Sequence, residues 1–124
     1  MKILSESQEQ QKFVMKMRWF HKDVEFFSIP NGGKRGAGEA RKLKLEGVEP
    51  GVPDLFIAEG RGGYFGLFIE MKKNKAARPK PVVSPEQKIK LQKYLERGYK
   101  TAVCFGCEEA YDCLQEYLSL EMTR

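Results

Sequence analysis

The sequence predicts an α/β domain in the order α-β-α-β-β-α-β-α, with a mixed central sheet flanked by helices. Three observations carry that prediction. Two apolar runs, residues 55–58 and 64–69, flank a glycine-rich turn at residues 59–63, the pattern of a β-hairpin. Helix-capping signals at Ser5 and at Ser84-Pro85 precede apolar residues at helical spacing. Short runs rich in β-branched and aromatic residues, 24–29 and 100–105, supply two further strands.

The first helix covers residues 5–20, capped by Ser5 or Ser7. Steps of about 100° per residue place Glu6, Gln10, Phe13, Met17 and Phe20 on one stripe. Glu6 and Gln10 are then expected on the buried face, where polar groups need partners. The strand at 24–29 ends at Pro30 and Asn31-Gly32-Gly33. Lys34 and Arg35 follow among glycines, a composition that can bring charge and backbone N–H groups to a phosphate. Residues 39–45 form a short basic helix ended by Gly47.

The hairpin comes next and is the centre of the chain. Asp54 opens its first strand, and Glu70-Met71-Lys72 closes its second. Side chains alternate along a strand, so Glu70 and Lys72 point the same way, and strand pairing can bring Asp54 beside them. Two carboxylates suit a hard divalent cation, and an ammonium can hold a water or a phosphorus centre. Residues 72–81 form an exposed loop with two prolines, carrying Lys73, Lys75, Arg78 and Lys80. Ser84 caps the next helix with Pro85 in its first turn; Gln87, Leu91, Tyr94 and Leu95 are spaced along it, and Gly98 ends it. Residues 100–105 are the fourth strand and 108–120 the last helix. That helix holds Tyr111, Leu114, Tyr117, Leu118 and Leu120, more apolar side chains than one face needs. It is therefore the candidate contact between two copies as well as a cover for the sheet.

Composition narrows the function. At 124 residues the chain, 1–124, is one domain with a single core. Its 22 Lys+Arg against 17 Asp+Glu give a net charge of +5, favouring a polyanionic partner. No apolar run reaches the length of a membrane span and no signal peptide is visible, so a cytoplasmic protein is expected. The single histidine, His21, excludes His-pair metal sites and the Ser-His-Asp triad lacks support. No G-x-x-x-x-G-K-[ST] is present, so no nucleotide cofactor is expected. Cys104 and Cys107 have C-x-x-C spacing, but only Cys113 and the distant His21 could complete a zinc site. They read as structural cysteines, with a redox pair as the alternative.

Several segments, in order, resemble the VRR-NUC domain, a virus-type replication-repair nuclease within the PD-(D/E)xK superfamily. They are SESQEQQKFVMKMRWF, IPNGGKR, GVEPGVPDLF, GLFIEMKK and SPEQKIKLQKYLERGYKTAVCFG, which together span most of residues 5–118. The resemblance implies a PD-(D/E)xK (restriction-endonuclease-like) core and a metal-dependent DNA endonuclease. It implies that Asp54 and Glu70 bind Mg²⁺ or Mn²⁺ with a helix-1 glutamate and the backbone carbonyl of Met71. Glu6 is the chosen helix-1 glutamate, Glu9 the alternative. Lys72 and Gln87 complete the catalytic set. Gln10, Asn31, Lys34, Arg35, Lys73, Lys75, Arg78 and Lys80 are the expected DNA contacts. Stand-alone viral members resemble resolvases of four-way (Holliday) junctions, so a homodimer on branched DNA is expected, in a phage, prophage or bacterial setting. A general or flap-type nuclease, or a non-catalytic nucleic-acid-binding module, is the alternative.

Overall fold

A computed structural model describes residues 2–30 and 36–123. Asn31, Lys34 and Arg35 lie outside the described residues. Among the described residues the elements are α1 (Glu6–Phe20), β1 (Phe26–Ser28), α2 (Ala37–Leu45), β2 (Leu55–Ile57), β3 (Leu67–Lys72), α3 (Pro85–Glu96), β4 (Lys100–Phe105) and α4 (Cys107–Leu118). They follow the expected order. The sheet runs β1-β2-β3-β4, with β1/β2 and β2/β3 antiparallel and β3/β4 parallel. A parallel pair cannot be joined by a tight turn, and α3 supplies the crossover.

Strand β3 divides the molecule into two sides. Leu67, Ile69 and Met71 are fully buried and pack with Leu55, Ile57, Phe13, Met17 and Leu114 in the core beneath α1 and α4. The alternate residues, Phe68, Glu70 and Lys72, face the other side of the sheet. There Phe68 stacks on Tyr94 of α3, with ring centroids 4.4 Å apart. Phe27, Phe56 and Phe68 lie in direct register across β1, β2 and β3, forming an aromatic row.

Several sequence expectations change. The edge strand β1 has three residues rather than the run 24–29. The second hairpin strand starts at Leu67, because the Arg61 guanidinium donates to the carbonyl oxygens of Leu118 and Leu120 and ties the connection to the chain end. The buried stripe of α1 is Glu9, Phe13 and Met17. Glu6 lies exposed in the first turn, and Phe20 is 63% exposed. The reason is a polar contact rather than hydrophobic spacing. Gly106, the N-cap of α4, has no side chain to cap that helix, and Glu9 of α1 accepts the Cys107 N–H at 3.0 Å instead. A carboxylate at a helix N-terminus satisfies an orphan donor and opposes the helix dipole.

The last helix is fully used by its own fold. Leu114 and Tyr117 are buried, and Tyr111 and Leu118 pack against the core. Leu120 lies beyond the helix at 38% exposure. These side chains cover the sheet and are not free to hold a second copy. The cysteines are likewise structural: all three are free thiols, with Cys104 and Cys107 buried. A hydrogen bond to Cys113 and then burial push the Cys104 thiol up, which keeps it protonated.

The cap from Glu9 makes a testable prediction. Glu9→Ala leaves the first turn of α4 without its acceptor and is expected to destabilise the fold by about 1–2 kcal/mol. Denaturant unfolding measures this, and an unchanged midpoint refutes the capping role.

Candidate metal centre and active site

Three elements meet at one end of the sheet. Asp54 stands just before β2, Glu70 lies within β3, and Glu6 is in the first turn of α1. One carboxylate oxygen from each lies within 4.8 Å of the other two. Each is held differently. Asp54 Oδ2 accepts the backbone N–H of Met71 at 2.7 Å, which locks the loop before β2 onto β3. Glu70 is buried at 2% exposure on the inner strand β3. Glu6 is positioned by a capping box, in which the Ser5 hydroxyl accepts the Gln8 N–H and the Gln8 side chain accepts the Ser5 N–H.

Lys72 is two residues along the same face as Glu70. Its Nζ lies 3.9 Å from Glu70 Oε2 and donates to Gln87 Oε1 at 2.9 Å. Gln87 Oε1 also accepts the Ser84 N–H at 2.9 Å, completing the capping box of α3. One amide oxygen therefore fixes both the start of α3 and the ammonium of Lys72. Gly51 lets α3 come this close: a Cβ there would lie 2.5 Å from the Glu86 carbonyl carbon, and its φ of +83° is one that other residues rarely adopt. Capping signals made Gln87 visible in the sequence, but its contact with Lys72 crosses 15 residues and has no local signature.

The electrostatics follow from crowding. Burial first, then a hydrogen bond and charge repulsion from Asp54, push the Glu70 carboxyl up to about 9, against the opposing pull of Lys72. The Glu6 carboxyl is also raised, first by partial burial and then by Asp54. Such an all-oxygen group with excess negative charge fits a hard divalent cation, which would take the place of the shared proton. Zinc is a poorer match, since no histidine or thiolate joins the group.

Other expected site residues spread outward. Gln10 is half-buried in the next turn of α1 beyond Glu6. Lys73, Lys75, Arg78 and Lys80 are exposed. Lys75 is already paired with Glu109 at 3.2 Å and lies over the Phe105 ring. Arg78 donates to the carbonyl oxygens of Lys75 and Ala77. Lys73 and Lys80 make no such bonds. Glu9 serves α4 and is absent from the acidic group. Sequence reasoning missed that division of labour; the bare glycine before α4 was its one visible signal.

The raised carboxyl sets a pH dependence. Glu70 holds its proton more tightly folded than unfolded, so this contribution to stability is full below the unfolded carboxyl pKa of about 4.3 and fades as pH rises toward about 9. In EDTA the melting temperature is expected to fall across that window, and Mg²⁺ is expected to restore it most at the alkaline end. Glu70→Gln should flatten both effects. A metal-free melting curve independent of pH for the parent would overturn this account.

The chain was compared with known proteins. The VRR-NUC domain model matches residues 4–108. None of the curated proteins matches. A solved structure described as a VRR_NUC domain protein superposes with a TM-score of 0.79 at 28% sequence identity, covering 100% of this chain and 96% of that one. The mixed four-strand sheet, its flanking helices and the family match agree. The chain belongs to the VRR-NUC family, nucleases of the PD-(D/E)xK type.

Proposed function

We propose that this protein is a metal-dependent endonuclease that hydrolyses phosphodiester bonds in branched DNA. The observation that carries the reading is the group Glu6, Asp54 and Glu70, with Lys72 beside it on the face of β3. Asp54, Glu70 and Glu6 would hold Mg²⁺ or Mn²⁺, with the Met71 carbonyl as a further oxygen. When bound, such an ion supplies an activated water at neutral pH and neutralises charge on a leaving oxygen.

The chain's own residues do the rest. Gln87 restrains the Lys72 ammonium, which lowers its rotational freedom and leaves further N–H donors for a water or a phosphate oxygen. The Asp54 carboxylate is oriented by the Met71 N–H before any substrate arrives. Lys73 and Lys80, next to this centre in sequence and free of internal pairing, supply charge for a phosphate backbone. Gln10 and the segment with Asn31, Lys34 and Arg35 extend the contacts.

Resolving a four-way junction takes two nicks on opposed strands, and a two-fold dimer supplies two sites. A homodimer on such a junction is therefore the finer form of the proposal, with a contact surface other than α4. No helix among the described residues is long and apolar enough to cross a membrane.

Cleavage of linear, flapped and four-way DNA with Mg²⁺, Mn²⁺ or EDTA tests the reading. Asp54→Ala and Glu70→Ala are expected to abolish cleavage while the protein stays folded. Lys72→Ala should retain cation binding and lose rate by about 10²–10³, as when a preorganised donor is removed. Full activity in Glu70→Ala would show that the chemistry lies elsewhere.

Light scattering, with and without a four-way junction, reads the oligomeric state. Two protomers are expected. A monomer in both conditions that nicks one strand would replace the resolvase with a nickase.

A further inference from the structure

We propose that the groove between α1 and the edge strand β1 receives an unpaired DNA nucleotide beside the metal centre. This rests on the nuclease reading and names the substrate feature that the same site would select. The groove is a cavity of about 530 Å³, within the size range of ligand pockets. Glu6 belongs both to its wall and to the acidic group, so whatever fills the groove lies against the reacting phosphate.

The wall matches a nucleobase better than a sugar-phosphate backbone. A backbone track needs several cations, and Arg18 is the one cation among the residues lining the groove. The remaining chemistry is amides and apolar side chains: Gln10, Gln11, Val14 and Phe27. Gln10 is half-buried and makes no hydrogen bond among the described residues. Its amide pairs a donor with an acceptor, as base edges do. Phe27 is 54% exposed, and its ring is steadied on one side by Phe56 at 5.7 Å between centroids, leaving surface for a base. Arg18 has no carboxylate partner among the described residues. It stands 12 residues beyond Glu6 on α1, roughly 18 Å along the helix axis, where it can take the phosphate of a neighbouring nucleotide. A paired base has its edge and faces occupied, so the groove admits an unpaired one.

The experiment uses the full chain and two DNA substrates with the same cut sequence, one flapped and one fully paired. The first unpaired position of the flap carries 2-aminopurine, whose fluorescence responds to stacking. Binding is followed with Ca²⁺ and cleavage with Mg²⁺. The variants are Arg18→Ala, Phe27→Ala and Phe27→Leu, the last keeping apolar packing without an aromatic face. Thermal melts establish that each is folded.

The parent is expected to change the 2-aminopurine signal. Arg18→Ala and Phe27→Leu are expected to lose about tenfold in binding and cleavage of the flapped DNA, the scale of one lost stacking or phosphate contact. Fully paired DNA should be cut within about twofold of the parent rate on the same contact scale. Equal losses on both substrates, or no loss on the flap, overturn the groove assignment. If the parent cuts no DNA, the nuclease reading fails, and the 2-aminopurine signal still decides whether the groove binds a base.

Discussion

Mutual repulsion among three carboxylates is the constraint on which the rest of this structure depends. Glu6, Asp54 and Glu70 come from three separate elements, and like charges within 4.8 Å do not assemble on their own account. Each is held by something that does not titrate. The Met71 N–H holds Asp54, the inner position of β3 holds Glu70, and the Ser5–Gln8 capping box positions Glu6. The price of this arrangement appears in the Glu70 carboxyl, pushed up to about 9. A centre strained in this way is poised for a cation, because binding one relieves the strain that folding has imposed.

The supporting scaffold is divided by the sheet. Beneath it, α1 and α4 close a core of Phe13, Met17, Ile69, Met71 and Leu114, and Glu9 ties the two helices through the Cys107 N–H. On the other side, α3 covers the sheet only partly and buries none of its residues. That lighter cover leaves Lys72 and Gln87 at a half-open edge, where a substrate can approach. Two glutamates three positions apart on α1 thus have opposite duties, Glu9 structural and Glu6 at the acidic centre.

Charge is distributed to match. The net charge of +5 is concentrated neither in the core nor at the acidic centre but on exposed segments, including Arg41, Lys42 and Lys44 of α2 and Lys73 and Lys80 after β3. Helix α2 buries none of its residues, so its basic side chains project into solvent. A polyanion drawn to such a surface reaches a locally negative centre only if a cation is present there, which couples DNA engagement to metal occupancy.

The sequence by itself determined the element order, the hairpin that carries Asp54, Glu70 and Lys72, and the caps at Ser5 and Ser84. These are local properties: alternation along a strand, turn residues, and side chains that bond a backbone three positions away. Segments such as GVPDLF and GLFIEMKK also carried the family resemblance. Tertiary structure alone decided the rest. Helical spacing put Glu6 on the buried stripe of α1, whereas Glu9 occupies it, because its partner is an N–H 98 residues away in α4. The contact of Gln87 with Lys72 depends on how closely α3 approaches β3, which Gly51 allows. The apolar side chains of α4 read equally as a cover or an interface until the core claimed them. Long-range partners decide such cases, because periodicity records how much apolar surface an element has and not what lies against it.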